Sequence, residues 1–261
     1  MKTKELEDLK QEFSRIKNMG YVKSTREGVT GVGKTFEDLI GKAEDTKGIP
    51  DYHGIEIKTR LGYSKSYTTL FNSTPEGKLE TQRLCKEYGY PDKILKDKKI
   101  LNISITKTPT IVANKYHFNL KIDYEKQRLI LIIKDRYGHL LEDRVYWNFK
   151  TLKEKLNTKL QYVALINAWP TTRNNIKYYK YYKINFYKLK SFEKFIELID
   201  KDIIRISLKI GVYREGLKKG LPHDRGTSFE LTLDSYKLFK YIYDMHFVWN
   251  KGIAGIKKSH T

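Results

Sequence analysis

The stretch PDYHGIEIKT, Pro50 to Thr59, decides how the chain is read. Ile55 and Ile57 alternate with Glu56 and Lys58, the period of two that turns successive side chains to opposite faces of a β-strand. One face is therefore apolar and fit for burial, and the other carries an acid and a base that a core strand has no ordinary use for. Asp51 lies in the turn just before the strand, so its carboxylate and that of Glu56 converge where the strand begins. Two close carboxylates repel unless a cation sits between them. Oxygen ligands with positions left open for water suit Mg²⁺, which activates water and neutralises charge on a phosphoryl group. Lys58, two residues on and on the same face, is placed to hold the attacking water or a phosphate oxygen. The competing reading is an exposed edge strand whose Glu56 and Lys58 are simply solvated.

The spacing Pro-Asp, four residues, Glu, any residue, Lys is the PD-(D/E)xK nuclease pattern, a loose motif that also arises by chance in charged chains. Upstream, TGVGKTFEDLIG (residues 30–41) sets Val32, Phe36, Leu39 and Ile40 at helical spacing, with Thr30 and Gly31 at its start and Gly41 as its stop. Glu37 on this helix precedes the Asp51 turn and is a further candidate metal ligand, or a residue that orients a ligating water. The same segment fits G-x-x-x-x-G-K-[ST] through Gly28, Gly33, Lys34 and Thr35. A phosphate loop needs a buried apolar strand directly before its first glycine. Here YVKSTRE precedes it, which is too polar and too short.

The 261 residues include 51 Lys+Arg against 31 Asp+Glu, a formal charge of +20. Such a field draws in a polyanion by long-range attraction and counterion release, so nucleic acid is the leading partner class and an anionic membrane the competitor. No apolar run approaches the ~20 residues of a spanning helix, and MKTKELEDLKQEF lacks a signal-peptide core; a cytoplasmic, prokaryotic protein with no membrane partner is expected. A 39% hydrophobic and 13% aromatic composition is enough to build a core. The single Cys85 excludes an intramolecular disulfide framework and a cysteine-rich zinc site.

Along the chain, residues 3–18 read as an amphipathic helix through Leu6, Leu9, Phe13 and Ile16. YTTLF and ILNISITKTPTIV read as strands with a short helix at 79–88 between them. Residues 117–149 alternate like an antiparallel meander, TLKEKL is helical and LQYVALINA returns to strand. IIRISLKIGVYREG is a strand, LKKGLPHDRG a basic glycine loop and TSFELTL another strand, followed by a helix or strand from Ser235. The expected fold is mixed α/β (α+β), one nuclease domain with a catalytic part at roughly 1–135 and a base-recognition part at roughly 140–250. On the basic loop Arg214, Lys218, Lys219 and Arg225 are candidates for phosphate anchoring. In NNIKYYKYYKINFYK the tyrosines suit sugar or base contacts, or equally a half-buried strand.

With these stretches in view, TGVGKTFEDLIG and PDYHGIEIKT, together with VYWNFKTLKEKL, KLQYVALINA, KYYKYYK and IRISLKIGVYREGLKKGLPHDRGTSF, resemble the MvaI/BcnI-type restriction endonucleases over most of the chain. A mismatch-repair strand nickase is a more distant likeness. The resemblance implies a PD-(D/E)xK restriction-endonuclease-like core with a mixed central sheet flanked by helices and a strand-rich recognition part. It implies a monomeric, Mg²⁺-dependent enzyme that cuts double-stranded DNA at a short, pseudo-palindromic, CCNGG-like site and leaves 5′-phosphates. Within a restriction-modification system its functional counterpart is a cognate DNA methyltransferase. Carried over, Asp51, Glu56 and Lys58 form the catalytic centre with Glu37 assisting, and Asp51 and Glu56 hold the metal. Ser207 through Glu230 correspond to the base-reading element, with Lys209, Tyr213 and His223 at matching positions. Arg225 and Glu230 depart in type: an arginine reads guanine O6/N7, whereas a glutamate accepts only from a donor such as cytosine N4. Two other functions remain open at this level, a partner-activated strand nickase and a non-catalytic DNA-binding module.

Overall fold

The structure, a computed structural model, describes residues 3–42, 49–62, 67–77, 79–231 and 236–244. In chain order α1 is Thr3–Asn18, β1 Tyr21–Lys23, α2 Gly31–Leu39, β2 Glu56–Leu61, β3 Thr68–Asn72, α3 Glu80–Tyr88, β4 Tyr90–Pro91 and β5 Lys99–Ile105. A meander follows: β6 Thr110–Val112, β7 Tyr116–Asp123, β8 Arg128–Asp135, β9 Leu140–Glu142 and β10 Tyr146–Asn148. Then come α4 Phe149–Leu160, β11 Tyr162–Arg173, β12 Ile176–Leu189, α5 Phe192–Asp200, β13 Ile204–Val212, β14 Pro222–Leu231 and, after a 3-10 turn, β15 Phe239–Asp244. These elements form two compact units: one from the described residues of Met1–Lys65, Asn157–Lys190 and Phe239–Thr261, the other from those of Ser66–Leu156 and Ser191–Leu238.

The first unit is a five-stranded mixed sheet in the order β1-β12-β11-β2, with β15 also on β12. β11 and β12 form a long antiparallel hairpin, and β2 joins the free edge of β11 in parallel, Glu56 beside Val163 and Lys58 beside Leu165. β1 and β15 share the other edge of β12, β1 along residues 178–180 and β15 along 185–189. One face of this sheet is covered by α1 and α2. Leu6, Leu9, Phe13 and Ile16 of α1, Val32 and Phe36 of α2, Ile55, Ile57, Ala164, Ile166, Tyr181 and Phe186 make a single buried cluster. Each aliphatic or aromatic side chain fully buried there contributes about 1.5–3 kcal/mol, which is why α1 forms at the spacing its apolar residues dictate. The Tyr181 hydroxyl donates to the Val32 carbonyl at 2.7 Å and ties α2 to the sheet. Thr30 precedes α2 but makes no side-chain capping bond.

The second unit holds two further five-stranded sheets. One has the order β10-β8-β7-β6 with β9 also on β8, and the other the order β3-β14-β13-β5-β4. Phe71, Phe195 and Phe229 lie with ring centres within 5.8 Å of one another, Phe71 stacked on Phe229, where α5 packs on the second sheet. The buried Trp147 donates its indole N–H to the Ser73 carbonyl at 2.9 Å. The observed fold is the mixed α+β architecture expected.

Two local features differ from the sequence pattern. Residues 191–200, for which that pattern marks no element, form α5, with Ser191 Oγ accepting from Lys194 N at 3.1 Å as the helix cap and Phe192, Phe195, Ile196 and Ile199 buried. The expected glycine loop at 217–226 is shorter than its sequence suggests, because pairing with β13 begins at Pro222; His223 and Arg225 therefore stand on a strand. Proline is tolerated at that first strand position, where its missing N–H costs nothing. Of the helix or strand expected from Ser235, Ser235 itself and residues 245–261 lie outside the described residues, Tyr236–Leu238 forms the 3-10 turn and Phe239–Asp244 is strand β15.

Candidate active site and base-reading surface

Tyr52 and Ile55 exchange two main-chain hydrogen bonds, 2.9 and 2.8 Å, so His53 and Gly54 are the two central residues of a tight turn. Both have positive φ, 44° and 85°, the geometry of a type I′ turn, in which glycine is favoured and histidine is among the better tolerated of other residues. Continuing this register by one residue sets Asp51 opposite Glu56, on the same side of the ribbon. The five-residue spacing of the two acids is thus a consequence of a two-residue turn. Asp51 Oδ2 accepts from the Ile57 amide at 2.9 Å, and its Oδ1 takes an ion pair from Lys42.

Glu56 is buried, with 2% of its side chain exposed, on the sheet face opposite the helices. Lys58 Nζ meets Glu56 Oε1 at 2.7 Å, and Lys159 from the end of α4 approaches the same oxygen at 3.5 Å. Glu56 Oε2 has no hydrogen-bond partner among the described residues. Burial pushes the Glu56 carboxyl above its usual range; Lys58 opposes the shift and Asp51 reinforces it. Glu37, on α2, is also raised, first by burial and then by Asp51. Asp51 is therefore the carboxylate that both others feel. The turn and strand bring Asp51, Glu56 and Lys58 to one place, and Glu37 on α2 lies near enough for its carboxyl to feel Asp51.

Among the described residues no three His, Cys, Asp or Glu side chains close into a preformed metal cage. The donor set is instead two opposed carboxylates, one of them with a buried, unpartnered oxygen, and two lysines at the margin. That set fits a hard divalent ion that keeps several of its waters. It fits the soft or nitrogen-preferring metals poorly, because His53 is in the turn and no second histidine or cysteine accompanies it.

The recognition candidates all lie in the second unit. Lys209 sits at a register shift between β13 and β14, with Leu208 opposite Thr227 and Ile210 opposite Asp224, so Arg225 and Gly226 face a single residue. Such a bulge re-aims side chains out of the sheet. Lys209, Tyr213, Arg214, His223 and Arg225 line one open cleft of about 620 Å³. Tyr213 and His223 stack ring on ring at 4.1 Å with 6° between planes, and Lys218 stands over the Tyr213 ring.

Two candidates have partners that sequence did not show. Arg214 pairs with the buried Asp92 at 2.7 Å, holding the Asp92 carboxyl well below the usual range. Glu230 is 6% exposed and is the hub of a network: Oε1 takes Lys209 at 2.6 Å and Ser228 at 2.8 Å, and Oε2 takes Arg205 at 2.8 Å and Ser207 at 2.9 Å. Burial would lift its carboxyl, but the bonds from Lys209, Ser228, Arg205 and Ser207 hold it down at about 2. Both carboxylate oxygens of Glu230 are thus occupied by neighbours within the fold. Lys218 and Lys219 stand in the exposed turn between β13 and β14, where Lys219 N bonds the Gly216 carbonyl.

A model of the MvaI/BcnI restriction endonuclease family matches residues 10–239 of this chain. The chain belongs to the MvaI/BcnI restriction endonuclease family. It is thus a type II site-specific endonuclease. The solved structure of restriction endonuclease MvaI in complex with its cognate DNA substrate is 33% identical, with a TM-score of 0.84 over 92% of this chain and 99% of that one. MvaI in the absence of DNA is 32% identical, with a TM-score of 0.60 over 93% of this chain and 98% of that one. No curated protein matches.

Within this family member three site residues carry no mark in the sequence. Lys42 lies only nine residues before Asp51, but no spacing rule singles it out. Lys159 reaches Glu56 from 103 positions away, and Arg205 reaches Glu230 across a strand pair. None belongs to a motif; only the pairing of distant strands and helices selects them from 51 Lys+Arg.

Proposed function

We propose that this chain is a Mg²⁺-dependent type II restriction endonuclease that hydrolyses phosphodiester bonds of double-stranded DNA at a short, pseudo-palindromic, CCNGG-like site. It acts as a monomer that nicks each strand in turn and leaves 5′-phosphates. The observation that carries this reading is the turn that opposes Asp51 to Glu56 while leaving Glu56 Oε2 buried and unpartnered beside Lys58 Nζ. A binding-only protein has no use for that arrangement, since paired carboxylates repel phosphate unless a metal intervenes.

Asp51 and Glu56 would hold Mg²⁺, which supplies Lewis acidity to the phosphoryl group and an activated water. Lys58 Nζ positions the attacking oxygen or the non-bridging phosphate oxygen and offsets charge that develops there. Glu37, whose carboxyl feels Asp51, would be a further ligand or would orient a ligating water. Ile55 and Ile57, buried on the opposite face, keep the strand from shifting under this charge. Base recognition falls to the second unit, with Lys209, Tyr213, His223 and Arg225 facing base edges and Arg214, Lys218 and Lys219 on phosphates. Glu230 serves there by holding Lys209 and Arg205. Among the described residues no helix is long and apolar enough to cross a membrane; a prokaryotic cytoplasm and a cognate DNA methyltransferase that shields host sites complete the proposal.

The test is digestion of a sequenced plasmid by the purified protein with Mg²⁺, followed by end-sequencing of both cuts. Linear product at one defined sequence is expected. Product that stops at the nicked circle would instead establish a nickase, and no cut with retained specific binding would establish a binding module. Lys58→Ala should abolish cutting and preserve specific binding.

A further inference from the structure

The face of the first unit's sheet that carries Glu56 and Lys58 continues past the carboxylates onto a group of exposed rings. Along β2 the same face carries Arg60 and then Gly62, whose amide still bonds the Ala168 carbonyl at 3.0 Å. A Cβ on Gly62 would lie 2.7 Å from the Trp169 ring and 2.7 Å from the Tyr182 hydroxyl. Glycine is required there by close approach: the two rings occupy the space a side chain at 62 would fill. Trp169 and Tyr182 stack at 5.0 Å with 10° between planes, and Trp169 remains 43% exposed.

The register shows how Tyr182 reaches this face. Asn167 pairs with Lys183 and Ala168 with Tyr181, so Tyr182 is an extra residue in a β-bulge. Tyr179 and Tyr181 point into the core, while the bulge sends Tyr182 to the side of Trp169 and of its cross-strand partner Lys180. Bulges re-aim side chains in this way next to active sites. Beyond them Arg173 lies over both Tyr178 and Tyr21, at 5.5 and 5.6 Å from the ring centres. Rings and cations thus alternate along a surface continuous with Lys58.

We propose that the Trp169–Tyr182 stack is a substrate platform: it packs against the deoxyribose and base edges of one strand of the duplex flanking the scissile phosphate, and so sets the strand's approach to Glu56 and Lys58. This rests on the nuclease reading of that face. Gly62 stands about 13 Å along the strand from Lys58, a few nucleotides on a duplex that rises about 3.4 Å per base pair. Exposed aromatic area is unfavourable in water, and covering it with deoxyribose and base-edge surface removes it from water without reading the bases' hydrogen-bond pattern. Lys180 and Arg173 supply the phosphate contacts that a polyanion needs.

The experiment uses the full chain and a duplex oligonucleotide carrying the site that the wild type cuts. Trp169→Ala should lower kcat/KM about tenfold or more, mainly through KM, with the thermal unfolding midpoint unchanged, and Trp169→Phe should restore most of it. Adding the duplex with Ca²⁺ in place of Mg²⁺ should change tryptophan emission in the wild type, and the change should vanish in Trp169→Phe. Gly62→Ala, which displaces the stack without removing a ring, should reproduce the KM defect. Wild-type kinetics in Trp169→Ala, or an emission change that survives in Trp169→Phe, overturns the platform while leaving the nuclease assignment standing. If Trp169→Ala does not fold, the emission comparison decides. Loss of self-association in the variant with cleavage untouched would likewise overturn it. A wild type that binds but never cuts would sink the nuclease reading, and the emission test would still judge the platform.

Discussion

Glu56→Met should stabilise the fold while abolishing cleavage. The Glu56 side chain is 2% exposed and its Oε2 is unpartnered; a buried polar atom left unsatisfied costs about 1–3 kcal/mol. Against this stands the ion pair of Oε1 with Lys58, yet burial still raises the Glu56 carboxyl, so the fold holds the ionised form at a net cost. Lys58 and Lys159 are 20% and 29% exposed and can turn to water once the acid is gone. Val163 and Leu165, on the same face of the neighbouring strand, offer methionine apolar neighbours. Replacing a whole buried ion pair by apolar groups of similar size is commonly neutral or stabilising by ~1–4 kcal/mol, and the ~3–5 kcal/mol cost of stranding one buried partner falls where that partner, like these lysines, reaches water. With two lysines deprived of their partner, about 1 kcal/mol of stabilisation is expected. In a chain of this size that raises the melting midpoint by roughly 2–4 °C. The assay is thermal unfolding in EDTA, so that bound metal does not contribute, beside a plasmid cleavage assay with Mg²⁺. Ile57→Ala, one residue along on the opposite face, should instead cost about 2–5 kcal/mol. A Glu56→Met protein that melts well below the wild type would make Glu56 a structural member of an ion pair and overturn this account of its burial.

Gly54→Val puts a β-branched residue at φ 85°, a strain of at least ~1–2 kcal/mol, and should lower cleavage by separating Asp51 from Glu56 while specific binding persists; single-turnover cleavage and a binding titration report both. Glu230→Ala leaves Lys209 and Arg205 without their acid and should cost about 2 kcal/mol, less than the ~3–5 of a fully buried pair because both bases reach water. Because Glu230 and Glu142 are held down at about 2 in the fold, the stability they contribute is complete above the ordinary carboxylate value of 4.5 and is lost as pH falls through about 2. Acid unfolding of Glu230→Ala should therefore be shallower than that of the wild type between those pH values. Lys218→Ala with Lys219→Ala should weaken binding evenly across DNA sequences and reduce the salt slope by about one for each phosphate that is no longer neutralised.

The candidate catalytic stretch is legible because its logic is local. A two-residue turn at His53-Gly54 followed by an alternating strand places Asp51, Glu56 and Lys58 within ten residues, and neighbours in sequence cannot escape being neighbours in space. Helices α1 and α2 are legible for the same reason, through apolar residues at 3.6-residue spacing. Helix α5 is hard to see even though Phe192, Phe195, Ile196 and Ile199 have that spacing, since strand-forming residues precede and follow it and nine residues make a short periodic signal. The loop at 217–226 looks longer in sequence than it is, because a basic, glycine-bearing segment reads the same whether or not a partner strand zips it from Pro222.

The amino-acid order alone dictates the pair of carboxylates, their lysine and the strand that carries them, since a tight turn and a two-residue period suffice to bring them together. Which of the many charges and rings are committed to partners, and which face the substrate side, depends on how distant segments pack. Glu230 pairs with Lys209 and Arg205, Arg214 is tied to Asp92, and Lys159 arrives at Glu56 from a distant helix. Tyr182 is turned beside Trp169 by a bulge that exists only in the pairing of β11 with β12. The physical reason is common to all four: strand register and helix docking are set by burial of apolar area summed over the whole sheet, and a charged or aromatic side chain takes the neighbours that this packing delivers to it.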